Sequence, residues 1–583
     1  MPSVRKELES RISAVLADML SGHDAEPDPM LKPTQDPKFG DYQSNSAMIL
    51  AKRLKRNPRE LAAKIISHLD LTDIADSVEI AGPGFINIKL SNKWLADQLD
   101  AAAPDQRLGI AKIEQPQTVV VDYSAPNLAK EMHVGHLRST IIGDAVVRAL
   151  EFCGHQVIRH NHMGDWGTQF GMLIAHLEDV ASEGKSTQSN ELADLENFYR
   201  QAKLRFDEEE GFADRARDYV VRLQSGDAHC LGLWQQFISI SISHSEDVYR
   251  LLNVTLREKD IRPESAYNDE LPDIVAALDD KNLLEHSDGA RVVFLEEMRD
   301  RNDQPMAVII QKSDGGYLYA TTDLAAARHR AQDLHADRIL YFIDDRQKLH
   351  MRQVFAISRR ADFVSDNCSL EHHPFGKMLG DDGKPFKTRA GGTIKLTDLL
   401  NEAIERATRL LAARDSTLSE KEISEIARKV GIGAIKYADL SKNRTSDYVF
   451  SWEQMLSFEG NTAPYLQYAY TRIRSIFRRG EIDPEGETGP TQIEAPEERA
   501  LAIKLLRFNE ALDSVTHDAY PHLMCTYLFE LAGQFMRFYE HCPVLQESVT
   551  KAQRDSRLRL CQLCARTLER GLDMLGIEVM ERM

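Results

Sequence analysis

The sequence predicts an α/β protein with a doubly wound parallel sheet at its centre, an α+β domain before it and an all-α domain after it. Three observations predict this architecture. Residues 113–395 alternate short β-branched runs with helical patterns, which is typical of a doubly wound sheet. From Glu420 onward the patterns are helical only. At 583 residues, the chain is too long for a single hydrophobic core.

The composition is that of a globular protein, with 42% hydrophobic and 28% charged residues. No apolar run approaches the ~18 residues of a membrane span, so we expect no membrane association. The first residues predict an amphipathic helix and not a signal peptide. The apolar residues at helical spacing are Val4, Leu8, Ile12, Val15, Leu16, Met19 and Leu20. The seven cysteines lack a disulfide-like framework, which favours a cytoplasmic location.

The net charge of −19 argues against a general nucleic-acid binder, which would be basic. It does not exclude an enzyme that contacts RNA, because a local basic surface is enough for phosphate contacts. The acidic balance also suits a protein that holds a cationic substrate.

The N-terminal domain is predicted to cover residues 1–110. After its opening helix, a second helix is predicted to be basic. Its cationic residues are Lys52, Arg53, Lys55, Arg56 and Arg59. The turn at Gly82-Pro-Gly84 leads into an alternating strand, and residues 101–109 form a linker.

The central domain, residues 113–395, has four candidate strands and a polar, helix-rich insertion near 180–255. The strands are predicted at 118–123, 156–161, 338–344 and 372–379. Residues 396–583 form the helical domain. Long helices are predicted at 421–438 and 497–517, with an acidic loop at 481–496.

Two histidines, His133 and His136, mark the point where the strand at 118–123 is followed by a helix predicted at 137–150. Backbone N–H groups at a helix N-terminus carry partial positive charge and favour phosphate. Gly135 removes a side chain where a nucleotide would approach the backbone. Two imidazoles add donors for phosphate oxygens or for charge that develops in a transition state. Alone, this pattern could also be a capped helix start with surface histidines.

The longer run from Ser124 to Asp144 resembles the ATP-binding motif of class I aminoacyl-tRNA synthetases, and of arginyl-tRNA synthetases in particular. The resemblance implies a Rossmann-type nucleotide-binding catalytic domain that ligates arginine to tRNA through an arginyl-adenylate. It implies that His133 and His136 contact the ATP phosphates. The predicted ATP-binding residues are Pro126, Asn127, Leu128, Ala129, Lys130, Glu131, Met132, His133, Val134, Gly135 and His136.

The second ATP element of the class is a lysine-rich loop, and residues 383–392 occupy its place. Lys384 and Lys387 supply cations there, but the usual K-M-S-K-S letters are absent. Lys130 is the candidate for the missing lysine. The catalytic residues implied are therefore His133, His136, Lys130, Lys384 and Lys387. Mg²⁺ is expected as the counter-ion of ATP without a protein metal site, and Cys561-Gln-Leu-Cys564 has no second pair to bind zinc.

A guanidinium has five donors and no acceptor, so its pocket needs carboxylates and hydroxyls. The segment 314–323 matches the family segment that lines the arginine pocket through Tyr319 and Asp323. Four residues apart, they share one face if a helix begins there. The full set of predicted substrate contacts is Asp122, Asn127, Glu264, Tyr319, Asp323 and Gln347. The glycine-rich stretch 164–171 is interpreted as an active-site turn, and His160 and His162 as structural.

The segment 460–472 resembles the start of the family's anticodon-binding domain. Tyrosines interleave there with arginines, as stacking on unpaired bases requires. Some of the tyrosines are expected to face the core. The residues implied to contact tRNA are Tyr465, Tyr468, Arg472 and Met583. The N-terminal domain is implied to touch the corner of the tRNA. The expected partners are the tRNA for arginine, arginine and ATP, and the expected state is a monomer.

Three other functions remain open at this point. Another class I synthetase, for cysteine or glutamate, fits less well with the Tyr319 and Asp323 pair. A small-molecule nucleotidyltransferase can share the two-histidine motif, but would not need the helical domain with its basic, tyrosine-rich stripe. A non-catalytic tRNA-binding paralogue is opposed by the intact His133, His136 and Asp323.

Overall fold

The computed structural model describes residues 3–20, 28–34, 36–182, 195–386, 394–414 and 418–583. Among these, most of the secondary structure is helical. The helices are α1 (Val4–Met19), α2 (Ser46–Leu54), α3 (Pro58–His68), α4 (Asn92–Ala102), α5 (Val134–Cys153), α6 (Thr168–Ser182), α7 (Leu195–Glu208), α8 (Phe212–Gln224), α9 (Ala228–Leu251), α10 (Leu271–Asp280), α11 (Tyr319–Gln332), α12 (Lys348–Arg360), α13 (Leu396–Arg414), α14 (Glu420–Leu440), α15 (Trp452–Met455), α16 (Ala463–Gly480), α17 (Pro496–Leu506), α18 (Phe508–Asp518), α19 (Pro521–His541) and α20 (Lys551–Met574).

The strands form four sheets within the described ranges. They are β1 (Leu31–Pro33), β2 (Tyr42–Ser44), β3 (Ala75–Ala81), β4 (Phe85–Leu90), β5 (Thr118–Asp122), β6 (Gln156–His160), β7 (Glu285–Ser287), β8 (Ala290–Arg299), β9 (Pro305–Gln311), β10 (Arg338–Tyr341), β11 (Ser369–His372), β12 (Met378–Leu379) and β13 (Tyr448–Val449). The sheet orders are β1-β2-β4-β3, β11-β10-β5-β6, β12-β13 and β7-β8-β9.

The central sheet is parallel throughout, with β5 between β10 and β6. Three of its four strands coincide with the predicted ones, to within three residues at their ends. The fourth prediction, at 372–379, was wrong. The strand is β11, which ends at His372, and Pro374 follows it. Proline has no N–H to give to a sheet, so the ladder cannot continue through this position.

The predicted insertion contains α7, α8 and α9, which pack with α6 and extend the main hydrophobic core. A second insertion was not predicted. Strands β7, β8 and β9 form an antiparallel sheet, and their apolar residues join the core under α10 and α11. The central domain therefore carries one helical and one β insertion.

The N-terminal domain packs α1, α2 and α3 on an antiparallel sheet around its own core. The helix predicted at the N-terminus is confirmed, with Leu8, Ile12 and Leu16 fully buried. The prediction of a single basic helix was wrong. Helix α2 ends at Leu54, Lys55 takes a left-handed conformation, and α3 restarts at Pro58. The five basic residues are therefore divided between two helices and a turn.

The last third of the chain is helical, with the short strand β13 as an exception. The predicted helix at 421–438 is α14. The predicted helix at 497–517 is two helices, α17 and α18, separated at Arg507. Cys561 and Cys564 are buried inside α20, where they pack as apolar residues. No helix in the described ranges has both the length and the apolar character needed to cross a membrane.

Candidate active site

Three of the predicted site segments follow strands at the carboxyl edge of the central sheet. The motif 126–136 follows β5, the glycine-rich turn follows β6, and Gln347 follows β10. Beyond the strands, Asn127 still pairs with Gly164 as an isolated parallel bridge. A Cβ atom on Gly164 would lie 2.2 Å from Asn127 Oδ1, so this contact requires glycine. The edge of a doubly wound sheet is where such folds bind ligands.

The two histidines cap the helix that follows them. His133 is the N-cap of α5, and its Nδ1 accepts the backbone N–H of Gly135 at 3.0 Å. Nδ1 of His136 accepts the backbone N–H of His133 at 3.1 Å. The two rings lie 4.0 Å apart between centroids. They are therefore not surface histidines on a capped helix but a fixed pair at its N-terminus.

Both imidazoles are neutral at neutral pH. Burial, together with the positive charge of Lys130, lowers the pKa of His133. Burial and the neighbouring His133 lower the pKa of His136 to about 3. Because each Nδ1 accepts a backbone hydrogen bond, the ring proton of each histidine is on Nε2. Two Nε2–H donors are thus held at the helix N-terminus.

Gly135 has a structural reason that the sequence did not indicate. A Cβ atom at this position would lie 2.7 Å from Cε1 of His133, so the ring of His133 requires glycine beside it. The close approach of a nucleotide at Gly135 stays a prediction.

The segment that follows the lysine-rich loop contacts the histidine motif. Residues 387–393, with the predicted Lys387, lie outside the described part of the chain. At the far end of the loop, Val134 donates to the carbonyl of Ile394 and Leu396 donates to that of Met132. Lys395 Nζ also lies 3.1 Å from the carboxylate of Glu131. Residues 394–396 are therefore held against the motif at residues 131–134.

Two of the predicted catalytic lysines are described. Nζ of Lys130 lies 4.3 Å from the ring centroid of Tyr199 on α7, a cation–π contact. Its charge reaches both histidines, since it lowers the pKa of each. Lys384 is exposed, and its backbone N–H donates to Asp382. Lys130 thus lies beside the histidines and Lys384 on the loop.

Tyr319 and Asp323 lie in the first turn of α11, as the spacing predicted. Nε2 of His350 donates to Asp323 at 2.6 Å, and Nε2 of His162 lies 3.8 Å from the same carboxylate. The ring of Tyr319 is 62% exposed and stands edge-on to His350. Asp323 is thus a partly buried carboxylate held between two histidines, with the exposed ring of Tyr319 against one of them.

Glu264 is a second carboxyl group close to Asp323, and the two form an acidic cluster. Burial raises its pKa to about 7, and the negative charges of Asp323 and Asp165 add to the effect. Asp165 is itself buried and accepts from the backbone N–H and the hydroxyl of Ser265. A half-buried, partly protonated carboxyl group next to Asp323 is arranged to receive a cation.

Asp122 and Gln347 occupy different positions from those two carboxylates. Asp122 is buried and forms an ion pair with the buried Arg330 at 2.8 Å. Nε of Arg330 also donates to His160, which makes His160 structural as predicted. The Asp122 carboxylate is therefore already matched by a guanidinium of the protein itself. Gln347 is exposed in the turn after β10.

Sequence reasoning interpreted His162 as structural and gave Asp165, inside the glycine-rich turn, no role of its own; it missed His350 and Tyr199. His350 had a local signal, because it lies one helical turn after Gln347. The others come from separate elements. Among the described residues, no group of three or more His, Cys, Asp and Glu side chains is arranged to hold a metal ion.

A separate cavity of about 400 Å³ lies in the helical domain. Its lining combines tyrosines, arginines and the C-terminus: Tyr468, Thr471, Arg472, Ser475, Arg478, Arg479, Tyr539, Arg582 and Met583. Nη1 of Arg472 donates to the hydroxyl of Tyr468, and its guanidinium lies 4.9 Å from the ring centroid of Tyr539. Tyr465 packs instead against Phe529.

Comparison with known families assigns all three parts of the chain. Residues 98–452 match the catalytic domain of class I tRNA synthetases (R). Residues 466–583 match the DALR anticodon-binding domain, and residues 6–90 match the N-terminal domain of arginyl-tRNA synthetase. The catalytic match is longer than half of the chain.

Whole-chain relatives agree with this assignment. The chain is 61% identical to the arginine–tRNA ligase of Pseudoalteromonas translucida over 98% of both chains, and 59% identical to that of Cellvibrio japonicus over the full length of both. It superposes on the arginyl-tRNA synthetase of Plasmodium falciparum with a TM-score of 0.86 at 29% identity, covering all of both chains. The Thermus thermophilus enzyme, at 24% identity and a TM-score of 0.84 over all of both chains, has the same fold. The resemblance that the histidine motif suggested is thus confirmed, and the chain belongs to the arginyl-tRNA synthetases of class I, which ligate arginine to its tRNA with ATP.

Proposed function

We propose that the sheet edge performs both steps of this ligation. The carboxylate of arginine attacks the α-phosphorus of ATP, forming arginyl-adenylate and releasing pyrophosphate. The terminal ribose hydroxyl of the tRNA then attacks the adenylate carbonyl, forming the ester and releasing AMP. One observation carries this proposal. The N-terminus of α5, with its two histidine donors, suits phosphate, and the acidic cluster of Glu264 and Asp323 suits a cation.

The phosphate side is built from residues 126–136. Nε2–H donors of His133 and His136 are fixed by the hydrogen bonds on Nδ1, so they need no reorganisation when charge develops on the phosphate oxygens. Lys130 and Lys384 supply the positive charge, with Lys387 of the loop as the third candidate. Phosphoryl and nucleotidyl transfer depend mainly on such positioning and electrostatic stabilisation.

Mg²⁺ would arrive with ATP. The side chains around the helix N-terminus are the two imidazoles, the ammonium group of Lys130 and the carboxylate of Glu131, which is paired with Lys395. Mg²⁺ prefers several oxygen ligands. The donor set therefore fits an ion held by the phosphate oxygens and water. When bound, the ion supplies charge neutralisation at the phosphates.

The acidic cluster of Asp323 and Glu264 binds the substrate guanidinium. Asp323 and Glu264 offer carboxylate oxygens and Tyr319 offers a hydroxyl, while Asn127 and Gln347 are exposed neutral polar side chains. Asp122 contributes as the ion-pair partner of Arg330, which also donates to His160. An arrangement of two carboxylates around a planar fork gives charge-assisted, paired hydrogen bonds.

The test is Asp323→Asn, which nearly preserves shape and removes the charge. Loss of one partner of a desolvated charge pair costs about 2–5 kcal/mol, so arginine affinity falls by ~30-fold or more. ATP affinity is unchanged. In a binding titration, the affinity for citrulline, the neutral isostere, falls less than the affinity for arginine. Equal losses for both ligands, or none, would remove Asp323 from guanidinium recognition.

The helical domain binds the anticodon arm through the cavity at Tyr468, Arg472 and Met583. Tyrosine rings and arginine planes accept unstacked bases, and four arginines line the walls. Tyr465 contributes by holding the helix face in place. Residues 1–110, 113–395 and 396–583 act as the tRNA-contacting, catalytic and anticodon-binding domains of a cytoplasmic monomer.

A further inference from the structure

The segment Gly40-Asp-Tyr42 of the N-terminal domain is buried and takes no part in the sites above. Asp41 is 6% exposed and Tyr42 is fully buried. Both residues face α17 and α18 of the helical domain, which carry their polar partners. A charged side chain in such a position needs a partner to offset the loss of solvation.

Asp41 has that partner in Arg499. Nη1 and Nη2 of Arg499 donate to the two carboxylate oxygens of Asp41, each at 2.8 Å. The backbone N–H of Leu90 donates to the same carboxylate at 2.7 Å, and Arg507 donates to the Asp41 carbonyl. This bidentate pair joins two domains that lie far apart in the sequence.

Tyr42 extends the contact to α18. Its hydroxyl bonds to the carboxylate of Glu510, and Nε of Arg507 donates to that hydroxyl at 3.3 Å. The guanidinium of Arg507 also lies 4.8 Å from the Tyr42 ring centroid. Gly40 makes the turn possible, because at φ +82° a Cβ atom would lie 2.5 Å from the carbonyl oxygen of Ile88.

A second row of contacts runs parallel to the first. Asp100 on α4 accepts from the backbone N–H and hydroxyl of Thr491 and from Arg559 on α20. Apolar residues of the helical domain complete the core of the N-terminal domain, namely Ile493, Ile503 and Leu506. The two domains therefore share packing as well as charges.

Helix α17 links this interface to the cavity of the helical domain. Glu498, the residue before Arg499, is buried and pairs with Arg557 on α20 at 2.8 Å. Helix α17 also packs on α19, which carries Tyr539 of the cavity lining. One helix thus contacts the N-terminal domain through Arg499, α20 through Glu498, and α19, which carries Tyr539 of the cavity lining, through helix packing.

We propose that Asp41 and Arg499 form a positioning pair, through which the N-terminal domain fixes the helices that read the anticodon. The inference rests on the proposed function of the cavity at Tyr468, Arg472 and Met583. The N-terminal domain thereby acts in anticodon recognition through α17, and this action does not require its own contact with tRNA.

The test is Asp41→Asn in the full chain, which keeps an acceptor for the Leu90 N–H and removes the charge. Aminoacylation is measured with two transcripts of the arginine tRNA, one with the native and one with a substituted anticodon. We expect the KM for the native tRNA to rise about tenfold, a size typical of coupled residues in one network. The anticodon penalty, meaning the ratio of the KM for the substituted transcript to the KM for the native one, falls by the same factor. The KM values for arginine and ATP do not change.

Two variants serve as controls. Arg499→Lys keeps the charge and loses the fork, so it gives a smaller shift of the same kind and replaces Asp41→Asn if that variant does not fold. Asp73→Asn breaks a bidentate pair with Arg11 inside the N-terminal domain and behaves as wild type. A loss of the same size in Asp73→Asn overturns the inference.

The anticodon penalty separates the two proposals. If the Asp41→Asn enzyme keeps the full anticodon penalty, the Asp41–Arg499 pair does not position the cavity. The inference is then overturned, while the proposed function stands. If the wild-type enzyme charges both transcripts equally, the cavity does not read the anticodon, and the inference fails together with that part of the proposed function.

Discussion

Arginine binding is expected to depend on pH through Glu264. The pKa of this carboxyl is about 7, raised first by burial and then by the charges of Asp323 and Asp165. The guanidinium of arginine stays protonated over the whole accessible range. Only the ionised form of Glu264 pairs with it, so the binding-competent fraction of the enzyme increases as pH rises through 7.

The magnitude follows from that fraction. About a tenth of Glu264 is ionised at pH 6 and about nine tenths at pH 8, and apparent affinity scales with the competent fraction, so arginine binds roughly tenfold more tightly at pH 8. Binding near pH 7 releases a proton. Calorimetric titrations of arginine in buffers of different ionisation enthalpy measure both the affinity and the proton.

Glu264→Gln removes the titrating group at nearly constant shape. Its arginine affinity is weaker at pH 8, and the pH dependence between 6 and 8 is flat. An unchanged slope in Glu264→Gln would refute the reasoning, because the titrating group would then not be Glu264. Citrulline, which lacks the positive charge, shows no comparable slope with the wild-type enzyme.

Stability provides an independent check with the opposite sign. The folded-state pKa of Glu264 lies above its ordinary value of 4.5, so the folded protein binds the proton more tightly than the unfolded chain. The free energy of unfolding therefore falls as pH rises from 4.5 to 7, by about 3 kcal/mol for this group. Glu264→Gln is accordingly more stable than wild type at pH 8 and equal to it near pH 4, as thermal unfolding would measure.

Three further predictions concern the proposed phosphate site and the buried ion pair between Asp122 and Arg330. His136→Asn keeps a side-chain acceptor for the His133 N–H but loses the Nε2–H donor, so ATP–pyrophosphate exchange with arginine falls roughly 10²–10³-fold at unchanged melting temperature; wild-type exchange would exclude the donor role. Lys130→Ala lowers exchange as much as Lys384→Ala does, and Lys130→Arg rescues it only partly; near-normal activity of Lys130→Ala would leave the role to the loop. Asp122→Asn leaves Arg330 without its charge partner and costs about 3–5 kcal/mol of unfolding free energy, measured by urea denaturation; a stable variant with weakened arginine binding would instead place Asp122 in contact with the substrate.

Elements with local signals could be predicted from the sequence. Helix α1 and strand β5 follow from the spacing of apolar residues, which is a property of the segment itself. The prediction of a strand at 372–379 was wrong because it relied on the apolar residues of this segment and ignored Pro374. Proline has no N–H to donate to a neighbouring strand, so the strand cannot continue through it. The sheet of β7, β8 and β9 was missed, since it forms a hairpin insertion between elements that were read as one α/β succession.

The site divides in the same way. His133, His136, Tyr319 and Asp323 belong to linear motifs, and their local geometry was foreseen. Asp122 looked like a pocket carboxylate because the sequence could not show that Arg330, from a distant helix, would neutralise it.

Neutral histidines at the phosphate site have a mechanistic consequence. Imidazolium cations would bind ATP as strongly before the reaction as during it, and such uniform binding contributes little to kcat. Neutral Nε2–H donors gain most when charge accumulates on the phosphate oxygens, because the backbone hydrogen bonds to Nδ1 already fix their orientation. In the proposed site, positive charge is left to lysines: Lys130, in contact with Tyr199, and Lys384. With donors and charges on different residues, we expect ATP binding and transition-state stabilisation to respond to different substitutions. His136→Asn should reduce kcat, and the lysine variants should also raise the KM for ATP.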